Sequence, residues 1–195
     1  HQVNLQSPVG SEDIEAERIL LCSGSLEKPR EAHLVPGSRP AGIMTPIMAA
    51  QMLRRGYIPG TRIIAFGRGR LVKSAVRLLE QYNCRTEWVD VDEWQITRIV
   101  GHRRIEKIAL RHRKTSEERV AELDTLIFCD GRIPCTFYLK GGDIMRDDNH
   151  AIVVDEAGRT NIPRISAAGS CTTRGDDEHL TSAERGRLAL QGLFN

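Results

Sequence analysis

The stretch RIIAFGRGRLVKSAVRLLEQYNCRTEWVD, residues Arg62 to Asp90, decides how the rest of the chain is read. A short apolar run, Ile63 to Phe66, meets glycines at 67 and 69. LVKSAVRLLEQY then sets Val72, Val76 and Leu79 on one helical face, and RTEWVDV is a second β-rich run that carries Asp90 near its end. Strand, glycine turn, helix, strand and terminal acid is the order of a βαβ unit that cradles a dinucleotide. In such a unit the first glycine makes the tight turn, the second admits the pyrophosphate, and the third lets helix and strand pack closely. Gly67 and Gly69 fill the first two places, and Asp90 is spaced to receive ribose hydroxyls. Val72 stands in the third. A valine there is expected to push the helix off the strand, opening the crevice or forcing a small repacking. The turn is thus expected to bind NAD weakly, and Val72→Gly to tighten it. Arg68 and Arg70 flank the turn, where they either reach a phosphate or stay in solvent.

The same pattern recurs on both sides. AERILLCSG, LDTLIFCDG and IPRISAAGS are short apolar runs that each stop at a glycine, as buried strands do. TPIMAAQMLRRG carries Thr45 as N-cap, Pro46 at the first helical position, Arg54 and Arg55 in the last turn, and Gly56 beyond. TSAERGRLALQGLF is a terminal helix with a capping box of Thr181 and Glu184. TRIV and RIEKIALRH flank Gly101–His102 as a hairpin, KTSEERVAE reads as a polar excursion, and HAIVVDEAGRT as a strand and turn. SLEKPREAHLVPGSRPAG, with three prolines, reads as a loop. The fold expected is α/β, a Rossmann-like parallel sheet with an added antiparallel segment.

With 195 residues, 40% apolar and 28% charged, the chain has the composition of an ordinary globular protein. A net charge of +2 makes no case for nucleic acid or a membrane surface as partner, and no apolar run approaches a membrane span. TRIVGHRRIEKIALRHRK has seven Lys or Arg but no aromatic for base stacking, so it reads as a solvated hairpin. The five cysteines, at 22, 84, 129, 135 and 171, form no C-x-x-C pair, and a reducing cytoplasm is the expected setting. His33, His102, His112, His150 and His179 lack metal-ligand spacing, so no metal is expected. GDDEH, residues 175–179, reads as an acid-stabilised loop and helix start. His1 in place of Met leaves open a processed terminus or a piece of a longer chain.

Taken together, the glycine-ended strands resemble the two-dinucleotide-domain flavoproteins, the FAD/NAD(P)-dependent pyridine nucleotide oxidoreductases. ERILLCSGSLEKPR resembles their alanine-threonine-glycine strand, with Gly24 at its end. LDTLIFCDGRIP, with Gly131 and Pro134, resembles the strand where the chain leaves the NAD domain and re-enters the FAD domain. NIPRISAAGSC, with Gly169, resembles the second FAD motif, with Ser170 where an aspartate usually holds the ribityl chain. PREAHLVPGSRPAGIMT is most similar to the amine-oxidising branch that holds opine- and hydroxyproline-dehydrogenase-like proteins and cyanide synthase subunits. The resemblance runs from about Ile14 to Phe194 and implies FAD and NAD as cofactors. The candidate cofactor-binding residues are then Gly24, Gly67, Arg68, Gly69, Arg70, Asp90, Gly131, Gly169 and Ser170; no catalytic residue is named, because the flavin does the redox chemistry in such proteins.

It also implies three segments: 1–58, part of the FAD domain with a connecting helix; 59–130, the NAD(P) domain; and 131–195, the returning FAD segment. Four departures stand against the family pattern: no N-terminal FAD motif, Val72, Ser170, and no C-x-x-x-x-C redox pair. They predict that this chain alone purifies without stoichiometric FAD and relies on a partner subunit to complete the flavin site. The function implied is hydride transfer between an amine-type substrate or NAD(P)H and FAD; the alternative is a non-catalytic scaffold with degenerate cofactor sites.

Overall fold

The computed structural model describes residues 1–175 and 180–194. Of the acidic segment read from the sequence, Asp176 to His179 lie outside the described residues. In chain order the strands are β1 (Gln2–Ser7), β2 (Gly10–Glu15), β3 (Ile19–Leu21), β4 (Ser25–Glu27), β5 (Ile43–Met44), β6 (Ile63–Gly67), β7 (Thr86–Asp90), β8 (Trp94–Gly101), β9 (Ile105–His112), β10 (Glu118–Glu122), β11 (Thr125–Cys129), β12 (Arg132–Pro134) and β13 (Ile165–Ala167). The helices are α1 (Pro46–Arg54), α2 (Gly69–Gln81) and α3 (Ser182–Phe194). Two compact units are formed, one from Glu27–Arg132 and the other from His1–Leu26 with Ile133–Asn195.

The Glu27–Arg132 unit is built on a four-stranded parallel sheet of order β5-β11-β6-β7. Its apolar runs are continuous because both faces are covered, and the period of two divides them cleanly. Ile64, Phe66, Leu126 and Phe128 point to one side and pack with Ile96, Ile99, Ile108 and Leu110 of an antiparallel sheet, order β10-β9-β8. Ile63, Ala65, Ile127 and Cys129 point to the other and meet Leu53 of α1 and Val72, Ala75 and Leu79 of α2. β6 and β7 are parallel neighbours with Ala65 opposite Trp88 and Gly67 opposite Asp90, joined through α2 as expected. Residues 27–58 also fold with this unit.

Three local readings change. KTSEERVAE, read as a polar excursion, supplies β10, which pairs with β9 and ties Glu118 to Arg111 at 2.8 Å. The proline-rich loop packs down on β8: Gly37 bridges Ile99, and Arg30 is only 2% exposed, its guanidinium donating to the Val35 and Ser38 carbonyls. A side chain at Gly37 would collide with the Ile99 backbone, and its φ of +114° suits glycine alone. HAIVVDE forms isolated bridges rather than a strand, Ile152 being fully buried but paired only singly, to Arg146 and Thr172.

In the other unit β3 and β13 pair in parallel, with Ile165 opposite Ile19, and α3 lies against both. The Thr181–Glu184 capping box forms: the Glu184 N–H donates to Thr181 Oγ1 at 3.2 Å, and the Thr181 N–H to Glu184 Oε2 at 2.7 Å. The polar opening segment, which carried no strand signal, is the β1–β2 hairpin. Among the described residues no helix is long and apolar enough to cross a membrane.

Candidate functional site

The carboxyl ends of β6, β7 and β11 lie side by side, with Gly67 opposite both Asp90 and Cys129. A Cβ on Gly67 would sit 2.5 Å from the Cys129 Cβ, so a glycine is required before the turn even begins. Gly69 opens α2 with φ of +67°, a conformation other residues adopt at a cost. Arg68 is the N-cap residue and puts no side-chain acceptor on the first N–H groups of α2. Those N–H groups and the positive end of a 13-residue helix therefore face the crevice, which is what an anion requires. Arg70 lies in the first turn of α2.

Val72 lies on the buried face of α2. It is fully buried, in one apolar cluster with Ala65, Ala75, Leu79 and Cys129.

Around this turn the charged groups are organised. Asp90 Oδ1 accepts the Asp92 N–H at 2.8 Å, an Asx turn that fixes the carboxylate at the end of β7. Arg68 Nη1 lies 2.8 Å from Asp92 Oδ1, and its Nη2 lies 3.8 Å from Asp130 Oδ1. Asp130 follows β11 and is held from behind by His33: Nε2 lies 2.7 Å from its carbonyl oxygen and Nδ1 3.6 Å from Oδ2. Trp88 Nε1 donates to the Gly67 carbonyl at 3.0 Å, bracing the turn from β7. Gly131 comes next with φ of +87°. Asp92, Asp130, His33 and Trp88 escaped the sequence reading. Asp92 lies two residues past Asp90 and was within reach of it, whereas His33 reaches the crevice only through tertiary packing.

The second group of candidate residues gathers in the other unit. Gly24 and Gly169 follow β3 and β13, which are parallel neighbours, and both have positive φ, +72° and +82°. A side chain at either would meet open space, so these two positions leave the carboxyl end of the strand pair uncovered. Ser25 Oγ and Ser170 Oγ share a hydrogen bond of 2.9 Å. Tyr138 donates to Ser23 Oγ at 3.0 Å beside them. Burial, with the thiols of Cys171, Cys135 and Cys22 nearby, pushes the Tyr138 phenol up despite that hydrogen bond. The Cys22 thiol is likewise raised by burial, with Cys171 adding to it.

Residues 83–187, just over half of the chain, match the pyridine nucleotide-disulphide oxidoreductase family. The chain belongs to that family. An NADH dehydrogenase of Bacillus subtilis is 32% identical over 101 residues, 52% of this chain and 20% of that protein. Among solved structures, the thioredoxin reductase of Lactococcus lactis superposes with a TM-score of 0.69 at 16% identity, over 99% of this chain and 69% of its own. The L-proline dehydrogenase of P. horikoshii does so with a TM-score of 0.60 at 20% identity, over 88% of this chain and 33% of its own. These structures share the Rossmann-like fold. The chain spans about a fifth of the length of the Bacillus protein. Family membership brings no redox disulfide of its own here: all five cysteines are free, and no two have C-x-x-C or C-x-x-x-x-C spacing.

Proposed function

We propose that this chain carries the NAD(P)-binding domain and the returning FAD-domain segments of a flavin-dependent oxidoreductase, which passes hydride between NAD(P)H or an amine-type substrate and FAD. The observation that carries the reading is the register of β6 on β7, which sets the Gly67–Gly69 turn opposite Asp90 at the mouth of an uncapped helix. In this reading the α2 N–H groups and Gly69 hold the pyrophosphate, Asp90 takes the adenine-side ribose hydroxyls, and Gly131 keeps the adjacent strand end open. Arg68 and Arg70 lie at the phosphate end. Glu27–Arg132 is then the NAD(P) domain, somewhat longer than the 59–130 expected from the motif alone. Gly24, Gly169 and Ser170 would hold the flavin's ribityl side, with a hydroxyl in the place of a carboxylate.

A flavin bound there would supply the hydride acceptor, and the chain's own groups position and exclude water. The amine-type substrate is supported by the PREAHLVPGSRPAGIMT segment. A partner subunit completing the flavin site and a cytoplasmic setting belong to the same proposal.

Calorimetric titration of the full chain with NADH tests the reading. Saturable binding is expected, weakened about tenfold or more in Asp90→Ala, as losing charge-assisted hydrogen bonds to two hydroxyls implies. Equal affinity in the variant, or no binding at all, would leave the scaffold alternative in its place. Flavin released on denaturation is expected well below one per chain; near one would overturn the need for a partner.

A further inference from the structure

Three carboxylates, Asp90, Asp92 and Asp130, border the crevice that the proposed function assigns to the adenine side of the dinucleotide. One cation whose partners are defined, Arg68, stands among them, bound to Asp92 at 2.8 Å and within 3.8 Å of Asp130. A second arginine, Arg113, approaches the same strand end, but its Nε is engaged with the Val91 carbonyl at 2.8 Å. His33 lies behind Asp130.

We infer that Asp92 is a specificity-determining residue: its carboxylate occupies Arg68 in the manner of a built-in anion and thereby selects NADH over NADPH. This rests on the dinucleotide reading of the crevice and deepens it. The 2′-phosphate that distinguishes NADPH carries close to two negative charges and three acceptor oxygens. It calls for a guanidinium, and Arg68 at the turn already meets a carboxylate that the sequence places two residues past Asp90. A ribose 2′-hydroxyl makes no such demand, because it donates to Asp90 as a neutral group. The Arg68–Asp92 pair is exposed, with side-chain exposures of 59% and 62%, so the ion pair itself contributes little to stability. Its effect on selection comes from the charge that an incoming phosphate meets. With Asp92 present, the phosphate has to displace its carboxylate from Arg68. Asp90 is held in place by the Asp92 backbone N–H, which a side-chain substitution at 92 preserves.

The test is a double-mutant cycle on the full chain, Asp92→Asn, Arg68→Ala and both, titrated with NADH and with NADPH. The readout is the ratio of the two affinities, which a general loss of structure does not move in one direction. Asp92→Asn is expected to raise the NADPH-to-NADH affinity ratio about tenfold, the scale of one close charge near a protein surface. Adding Arg68→Ala is expected to abolish that gain, because the freed guanidinium is what receives the phosphate. NADH binding with an unchanged ratio in Asp92→Asn would overturn the inference and leave the dinucleotide site standing. An equal gain in the Arg68→Ala background would also overturn it, since Asp92 would then act by repulsion alone. Failure of every variant and the parent to bind either dinucleotide would overturn the site, and this inference with it.

Discussion

Val72 occupies a position that motif logic reserves for glycine, and it is fully buried between helix and sheet. It shares its cluster with the small Ala65 on β6 and Ala75 one turn along α2, and with Cys129 of β11. The sequence reading put the cost of the missing glycine on nucleotide binding. The packing puts the cost of restoring it on stability. Val72→Ala is expected to lower unfolding free energy by roughly 2 kcal/mol, through two lost methyl groups and the cavity they leave. Val72→Gly should lose about 1 kcal/mol more, the penalty of glycine inside a helix. Urea unfolding followed by far-UV circular dichroism measures both, and an unchanged midpoint would show that the site collapses around the smaller residue. At this scale the sequence yielded the identity of the turn residues, since glycine and terminal acid are marked by type. It could not yield the space around Val72, which depends on residues from another strand, nor the His33–Asp130 contact, whose partners are 97 residues apart.

The elements found from sequence were those with a strong period or a complete set of end signals. α1 has Thr45 and Pro46 at one end and Gly56, with φ of +79°, at the other, and β6 and β11 are unbroken apolar runs. β10 and the β1–β2 hairpin were missed because their residues are mostly exposed and polar, so their ladders rest on backbone pairing rather than on a buried face. The opposite error, a strand at HAIVVDE, arose because burial of Ile152 supplies an apolar signal without a neighbouring strand to extend the pairing. Asp124, between β10 and β11, shows how an element is fixed by a single carboxylate. Burial pulls its pKa up, but hydrogen bonds from the Thr61 hydroxyl and N–H and the Arg62 N–H outweigh that and hold it below the usual range. All three donors belong to the segment that leads into β6. A depressed folded-state pKa means that the contribution is present above the unfolded value, near 3.9, and is lost as pH falls through the folded one. Asp124→Ala is therefore expected to cost about 1–3 kcal/mol at pH 7, with orphaned N–H groups left behind. The gap between parent and variant should narrow below about pH 4. Urea midpoints measured from pH 7 to pH 3 would show it, and a gap independent of pH would mean that the lost packing, not the charge, matters.

At the scale of the molecule, the chain enters the nucleotide-binding unit at Glu27 and leaves it at Arg132, and the stretch between is continuous. Its two ends are already joined: the Lys28 N–H donates to the Gly131 carbonyl at 3.1 Å, so cutting on either side leaves no gap to span. Both of its hydrophobic clusters, one on each face of the parallel sheet, are formed by residues within these limits. Roughly one hundred residues with their own core is a common size for a domain that folds alone. The other unit draws on two separate pieces of chain and has a much smaller buried cluster, centred on Ile152, Ala167 and Cys171. We therefore expect the fragment Glu27–Arg132, expressed by itself, to unfold in a single cooperative urea transition, with an m-value of about 1–2 kcal/mol per M. It should also bind NADH within about threefold of the full chain, because every group assigned to that ligand lies inside it and threefold is under 1 kcal/mol. A fragment with dispersed amide signals and no NADH affinity, beside a full chain that binds, would place a required group outside Glu27–Arg132. A fragment without a cooperative transition would show that the sheet needs the remaining chain to close its core.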